Sequence, residues 1–158
     1  MRKLTMTLAI LVGTLIGTGF VGKMQNEKLS KARALSDKHF ELFKMMTQWV
    51  KIKQAGRNLS DYLEKDGYKK IAVYGMSYAG ETLINELKNS SVTVSYGIDR
   101  NAASLYSDID IMSINDDLED VDAIIVTAIT FFDEIEKELS EKIDCPIISL
   151  RNILNTII

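Results

Sequence analysis

The chain has 158 residues, a formal net charge of −3 at pH 7 and 46% hydrophobic residues, which suits a folded protein with one domain and an additional segment. A single cysteine, Cys145, excludes an internal disulfide framework and fits a reducing compartment. The charge is uneven, because residues 23–58 carry nine Lys or Arg and three Asp or Glu, whereas residues 59–158 carry eight and nineteen. A C-terminal part as acidic as this argues against a nucleic-acid-binding surface, and we expect no nucleic-acid partner.

The N-terminal segment has the length and composition of a membrane anchor. Residues 4–21 contain no charged residue, and a helix rising about 1.5 Å per residue over this length approaches the roughly 30 Å apolar thickness of a bilayer. We therefore expect a transmembrane anchor at residues 1–23, with a cleaved signal peptide as the alternative. More basic residues follow the span than precede it, which predicts a single-pass protein of the inner or plasma membrane whose C-terminal domain is cytoplasmic. Gly13 and Gly17 have the spacing that lets two membrane helices touch, so they are candidates for a homodimer contact.

Residues 24–66 are predicted to form an amphipathic helical stalk. Apolar residues recur at helical spacing from Leu35 to Ile52, Gly56 suits a helix end, and residues 59–65 fit a short second helix. The apolar face is too broad for a strict two-stranded coiled coil. We therefore expect it to pack on the following domain, on a partner such as a second copy, or in the membrane interface. His39 has no other ligand type at metal spacing, and we expect no metal site.

Residues 67–158 alternate between short apolar runs and amphipathic segments, which is typical of a small Rossmann-like α/β domain with a parallel sheet. Right-handed crossovers predict the strand order 3-2-1-4-5. Such a sheet binds ligands beyond the carboxyl ends of its strands, at the point where the order reverses. Strands are expected at residues 71–74, 92–98, 109–114, 123–127 and 146–150, and helices at residues 80–87, 116–120, 131–143 and 151–158.

The connection after the first strand has the features of a nucleotide-binding turn. It matches the dinucleotide pattern G-x-G-x-x-G except that Ser77 replaces the middle glycine. Glycine lets a phosphate approach the backbone, and the N-terminus of the next helix offers N–H groups, while a serine crowds a pyrophosphate but can also hydrogen-bond to it. Asp99, at the end of the second strand, can accept a ribose hydroxyl. The candidate binding residues are Gly75, Ser77, Tyr78, Gly80, Asp99, Asn101 and Thr127.

Each of these residues also has an interpretation without a ligand. The glycines then form only a tight turn, Asp99 caps that turn together with Asn101, and Thr127 and Thr130 are polar residues at a strand end. The sequence contains no Tyr-x-x-x-Lys pair, no G-x-S-x-G elbow and no P-loop. A head of about 90 residues also leaves no room for a separate substrate domain. We therefore lean away from an enzyme, and Asp99, Thr127 and Asp133 are the candidates if a reaction occurs.

Four segments of the head resemble a known family. They are residues 71–81, residues 97–101, residues 122–128 and residues 132–135. Together they resemble the C-terminal Rossmann-like domain of sugar C-methyltransferases, and similar modules labelled nucleoside-diphosphate-sugar epimerase-like in bacterial surface-polysaccharide clusters. The resemblance covers about residues 67–150 and implies a nucleotide or nucleotide-sugar ligand. NAD is less expected because Ser77 departs from the dinucleotide pattern. S-adenosylmethionine is less expected because its site in the methyltransferases, like their zinc-binding segment, lies in other domains.

Together, the predicted anchor and the resemblance indicate a membrane-anchored accessory protein that binds a nucleotide or nucleotide-sugar in cell-envelope polysaccharide synthesis. Two alternatives remain open. One is a minimal nucleotide-sugar-modifying enzyme, and the other is a ligand-free interaction module tethered to the membrane.

Overall fold

The computed structural model describes the backbone of residues 2–157 and the side chains of residues 25–157. Where side chains are described, no helix is long and apolar enough to cross a bilayer, and the predicted span at residues 4–21, with Gly13 and Gly17, lies outside those residues. The helices are α1 (Arg2–Gln54), α2 (Leu59–Lys65), α3 (Tyr78–Leu87), α4 (Phe132–Ser140) and α5 (Leu150–Ile157), and the strands are β1 (Lys70–Tyr74), β2 (Thr93–Ile98), β3 (Ile111–Met112), β4 (Ala123–Val126) and β5 (Ile147–Ser149).

The strands form one parallel sheet in the order β3-β2-β1-β4-β5, which confirms the predicted Rossmann-like α/β fold. The central strand β1 pairs with β4 from Ile71 opposite Ala123 to Tyr74 opposite Val126. Both strands are buried along their apolar residues because helices cover both faces of the sheet. The strand order reverses between β1 and β4, so the carboxyl ends of these strands mark the crevice where ligands of such sheets bind.

Alternate residues of β1 enter two hydrophobic cores. Ile71 and Val73 pack in a core that contains residues of α1, α2, α3 and α5. Ala72 and Tyr74 pack on the other face of the sheet, where Ile135 and Leu139 of α4 complete the second core. The period of two along the strand therefore explains why one apolar run serves both faces.

The chain divides into two compact units, residues 1–41 and residues 42–158. The second unit contains the predicted head together with α2 and the last turns of α1. Met45, Trp49 and Ile52 of α1 are no more than 3% exposed and belong to the first of the two cores. One half of the broad apolar face predicted for the stalk is thus accounted for by packing on the head.

Glu86 of α3 fixes α1 and α2 to the sheet. Its side chain is only 10% exposed. One carboxylate oxygen accepts the Trp49 indole N–H at 2.6 Å, and the other accepts the Lys53 ammonium at 3.2 Å and the Leu59 backbone N–H at 3.0 Å. Leu59 begins α2, and Asn58 before it makes no side-chain cap bond, so the carboxylate takes over the capping role. The amphipathic pattern of α3 puts Glu86 on its polar face, and α1 packs against that face in the structure.

Two predicted elements differ in the structure. The predicted helix at residues 116–120 is absent, because Asp116 closes a turn instead. Its side chain accepts the Ser113 backbone N–H at 2.7 Å, and its own N–H donates to the Ser113 carbonyl at 3.0 Å. Such local bonds of aspartate compete with helix formation. The third strand is limited to Ile111–Met112, and a 3-10 turn at Ile129–Phe131 precedes α4.

Candidate functional site

The glycine turn leaves β1 and enters α3 within three residues. Gly75 has a φ of +96°, a conformation that residues with a side chain rarely adopt. Met76 turns inward and is 5% exposed, whereas Ser77 and Tyr78 are exposed. Ser77 is the N-cap residue of α3 and its side chain makes no cap hydrogen bond. The first turn of α3 therefore keeps its positive dipole end at the surface, beside an exposed hydroxyl.

Asp99 ties the glycine turn to the end of β2. One oxygen of its carboxylate accepts the Met76 backbone N–H at 2.9 Å, and the other accepts the Asn101 backbone N–H at 2.8 Å. The Gly75 N–H also donates to the Ile98 carbonyl at 2.8 Å, so the turn is attached to β2 at two points. Each carboxylate oxygen has two acceptor positions. Half-buried Asp99 thus has one further position on each oxygen for a ligand hydroxyl.

Thr127 faces the same turn from the end of β4. It is 4% exposed, and its hydroxyl lies 2.7 Å from the Gly75 carbonyl oxygen and 3.1 Å from that of Tyr74. Its backbone N–H donates to the Tyr74 carbonyl at 2.9 Å. Thr127 therefore attaches the glycine turn to the carboxyl end of β4. Thr130 is exposed in the 3-10 turn that follows, next to a cavity of about 260 Å³ that also borders Asp133.

Two further glycines lie in close contact with the turn. A Cβ at Gly80 would overlap the carbonyl oxygen of Gly75, so α3 approaches the turn only because residue 80 has no side chain. A Cβ at Gly97 would lie 2.6 Å from the Met76 sulfur. The sequence analysis missed Met76 and the role of Gly97, since an inward-turned Met in a glycine turn has no sequence signal.

The structure brings all seven candidate residues to the carboxyl ends of three adjacent strands. Gly75, Ser77, Tyr78 and Gly80 follow β1, Asp99 and Asn101 follow β2, and Thr127 follows β4. They are not equivalent, because only part of the group is open to solvent. Ser77, Tyr78 and Asn101 are exposed, Asp99 is half-buried, and Gly80 and Thr127 are buried within the turn.

A second polar group, missed in the sequence, borders this site on the α4 side of the sheet. The Tyr74 hydroxyl is buried and makes no hydrogen bond within the described part of the chain. Burial raises the pKa of Tyr74, and the Arg100 guanidinium opposes that increase because it approaches the hydroxyl as a donor and as a positive charge, although the contact falls short of a well-formed hydrogen bond. Arg100 itself donates to Glu134 at 2.8 Å and lies 3.9 Å from Glu138. Arg100 thus places a positive charge at the edge of the site, and the carboxylates of Glu134 and Glu138 on α4 balance it.

Neither a scan of protein-family models nor a search of curated proteins finds a match for this chain. The resemblance to the sugar C-methyltransferase domain stays a prediction.

Proposed function

We propose that the glycine turn and Asp99 form a binding site for a nucleotide or nucleotide-sugar. The observation that carries the proposal is the exposed start of α3. The side chain of the N-cap residue Ser77 makes no cap hydrogen bond there, so its exposed hydroxyl can bind a ligand. Anions bind at helix N-termini because several N–H groups converge there with the positive end of the dipole. Asp99 lies beside this anion site with acceptor positions for a ribose.

The cellular role that we propose follows from the resemblance and the composition. The chain is a membrane-anchored accessory protein of cell-envelope polysaccharide synthesis, held by residues 4–21, with its head in the cytoplasm. The head presents a bound nucleotide or nucleotide-sugar to partner enzymes. No residue of the turn is assigned a catalytic role in this proposal, since Asp99 and Thr127 are engaged in holding the backbone.

A ligand-free interaction module is the second candidate, and a specific observation favours it. The Asp99 carboxylate, the Thr127 hydroxyl and the missing Gly80 side chain each have an intramolecular role. These features would therefore be needed even if no ligand bound.

Thermal unfolding of the full chain in mild detergent separates the two candidates. The ligands are NAD, NADP, S-adenosylmethionine, UDP-sugars and dTDP-sugars. A ligand at 100 times its dissociation constant adds about 2.7 kcal/mol of stability, which is easily seen as a shift of the melting temperature. Binding should be lost in Ser77→Glu, whose carboxylate repels a phosphate, and should persist in Ser77→Ala.

Ser77→Glu suits this test because residue 77 is exposed and makes no cap bond. A carboxylate at a helix N-terminus also stabilises the helix, so lost binding cannot be attributed to unfolding. A shift that survives in Ser77→Glu would place the ligand elsewhere. No shift with any compound would favour the interaction module.

A further inference from the structure

The buried hydroxyl of Tyr74 has no hydrogen-bond partner within the described part of the chain. The residue is 3% exposed and ends β1, directly before the glycine turn. Nearly all buried polar side chains in proteins are hydrogen-bonded, because a desolvated hydroxyl without a partner destabilises the fold. A phenylalanine would fill the same space without this cost. The hydroxyl therefore suits a partner that comes from outside the chain.

Charged side chains lie near this hydroxyl at the carboxyl ends of β1 and β2. Burial raises the pKa of Tyr74, the Arg100 guanidinium lowers it, and the carboxylates of Glu138 and Asp99 raise it. Arg100 in turn donates to Glu134 at 2.8 Å and lies 3.9 Å from Glu138. Because only nearby charges have such effects, the hydroxyl points toward the polar groups at this edge of the sheet.

The Arg100 side chain can move away from the Tyr74 hydroxyl at little cost. It is 54% exposed, and the Glu134 side chain that accepts its hydrogen bond is 63% exposed. Ion pairs between exposed side chains contribute little to stability, since water and salt screen them. A ligand can therefore displace the guanidinium and reach the hydroxyl, while Arg100 stays at the site as a further donor.

A cavity beside this group has room for one ring. It has a volume of about 260 Å³ and is lined by residues 129–134, which is smaller than the roughly 300–1,000 Å³ of pockets that hold a whole drug-sized ligand. Glu134 belongs both to this lining and to the ion pair with Arg100. The lining combines the ring of Phe131 with the Thr130 hydroxyl and the Asp133 carboxylate. A sugar ring suits this combination, because it has an apolar face and a rim of hydroxyl groups.

The charge of α4 disfavours an anion on this side of the sheet. The helix carries one lysine, Lys137, and four carboxylates, at Asp133, Glu134, Glu136 and Glu138, a net charge of −3. Two of these carboxylates lie in its first turn, where they compensate the positive end of its dipole. The exposed start of α3 has no such compensation from its N-cap side chain. One side of the site therefore favours a phosphate, and the other favours a neutral group whose hydroxyls donate to carboxylates.

We propose that Tyr74, Arg100 and Glu134 form a subsite for the sugar of a nucleotide-sugar, and that this sugar is neutral. The inference rests on the proposed function, since the phosphates of the same ligand lie at the start of α3. The Tyr74 hydroxyl hydrogen-bonds to a sugar hydroxyl once Arg100 has moved, and Glu134 accepts a hydrogen bond from another. An acidic sugar, such as a uronic acid, is repelled by the carboxylates of α4.

Calorimetric titration of the full chain in mild detergent tests the subsite. UDP, UDP-glucose and UDP-glucuronate are compared, with dTDP and dTDP-glucose beside them in case the site selects the other base. UDP-glucose should bind more tightly than UDP and about tenfold more tightly than UDP-glucuronate, which differs from it by one carboxylate. Tyr74→Phe should weaken binding of UDP-glucose about fivefold to tenfold and leave binding of UDP unchanged, because only the sugar loses a hydrogen bond.

The stability of the free variant gives a second readout. Tyr74→Phe removes a hydroxyl that has no partner within the described residues. The melting temperature of the free protein should therefore stay the same or rise, because no hydrogen bond is lost and a desolvated polar group is removed. A residue with only a structural role would show the opposite pattern, a lower melting temperature with unchanged affinity.

A matched pair of variants tests the charge selectivity. Glu134→Gln and Glu136→Gln each remove one negative charge from an exposed position of α4, and only Glu134 pairs with Arg100 and lines the cavity. Glu134→Gln should reduce the preference for UDP-glucose over UDP-glucuronate about threefold or more, since the repulsion is local. Glu136→Gln should leave that preference as in wild type.

The results that overturn this subsite differ from those that overturn the phosphate site. Equal affinities for UDP and UDP-glucose, or unchanged UDP-glucose binding in Tyr74→Phe, would remove the sugar from this side and leave the start of α3 as the phosphate site. Equal effects of Glu134→Gln and Glu136→Gln would assign the selectivity to net charge. A clearly lower melting temperature of Tyr74→Phe would show that the hydroxyl already has a partner in the free protein. No binding of any of the five compounds would overturn the proposed function and this subsite with it.

Discussion

Four glycine-to-alanine substitutions separate backbone strain from close packing at the turn. Gly67 has a φ of +85° and open space around it, so Gly67→Ala measures strain alone, about 1–2 kcal/mol. Gly97→Ala measures contact with a flexible side chain, and rearrangement of Met76 should cost about 1 kcal/mol, the low end of the range for overpacking. Gly80→Ala forces a methyl group against the Gly75 backbone. This overlap should cost about 2–3 kcal/mol net of the roughly 1 kcal/mol that alanine gains in a helix.

Gly75→Ala combines both penalties. The residue needs a φ of +96°, and its new Cβ would lie 2.7 Å from the Thr127 hydroxyl oxygen that bonds the Gly75 carbonyl. Strain of about 1–2 kcal/mol and the loss of a hydrogen bond of about 1 kcal/mol give a total of about 2–3 kcal/mol or more. The two turn glycines should therefore cost more than Gly67 and Gly97.

Urea unfolding of the full chain in mild detergent measures the four values. Trp49 is the single tryptophan and is buried in the core beside Glu86, so its fluorescence reports unfolding of this domain. The reasoning is refuted if Gly80→Ala is neutral or stabilising, because the helix would then not need to approach the turn. It is also refuted if Gly67→Ala costs as much as Gly75→Ala.

Two further substitutions test contacts outside the turn. Glu86→Ala should destabilise the protein by about 2–4 kcal/mol in urea unfolding, because three donors lose a buried carboxylate; the exposed change Glu81→Ala on the same helix should cost less than about 0.5 kcal/mol. The backbone N–H groups of Lys70 and Lys69 hold the pKa of Asp122 below its usual value. Its contribution to stability is therefore present above the unfolded pKa of about 3.9 and lost as the pH falls through the lower folded value. Wild type should be more stable than Asp122→Asn at pH 7, and the two unfolding curves should converge in acid; a difference that grows in acid would contradict the assignment.

The sheet was predictable from the sequence because its determinants are local. Each strand is an apolar run such as Ala123–Val126, each helix between strands has an amphipathic pattern, and right-handed crossovers leave few strand orders. The seven candidate residues follow strand ends, so the topology alone places them at one edge. The turn at Asp116 was missed because an aspartate favours either a helix start or a side-chain turn, and the choice depends on Ser113.

The partners of the candidate residues could not be predicted, because they depend on contacts between distant segments. Asp99 binds the N–H of Met76, 23 residues earlier, and Glu86 binds Trp49, 37 residues earlier. A helical pattern identifies Glu86 as polar and cannot show that another helix will cover it. The pattern for Phe43 and Trp49 likewise gives one broad apolar face, and only packing on the head divides it into a buried and an exposed half.

The most direct test of the proposed binding site is NMR of the backbone amides during titration with a nucleotide-sugar. The full chain, labelled with ¹⁵N in detergent, is titrated with UDP-sugars and dTDP-sugars, and with inorganic phosphate as the anion alone. The account predicts saturable shifts at the amides of Ser77, Tyr78 and Ala79, with Asn101 responding to the nucleotide-sugar but not to phosphate. No shift at the start of α3 at saturating ligand, or shifts confined to amides far from the carboxyl ends of β1, β2 and β4, would contradict a ligand site at the glycine turn.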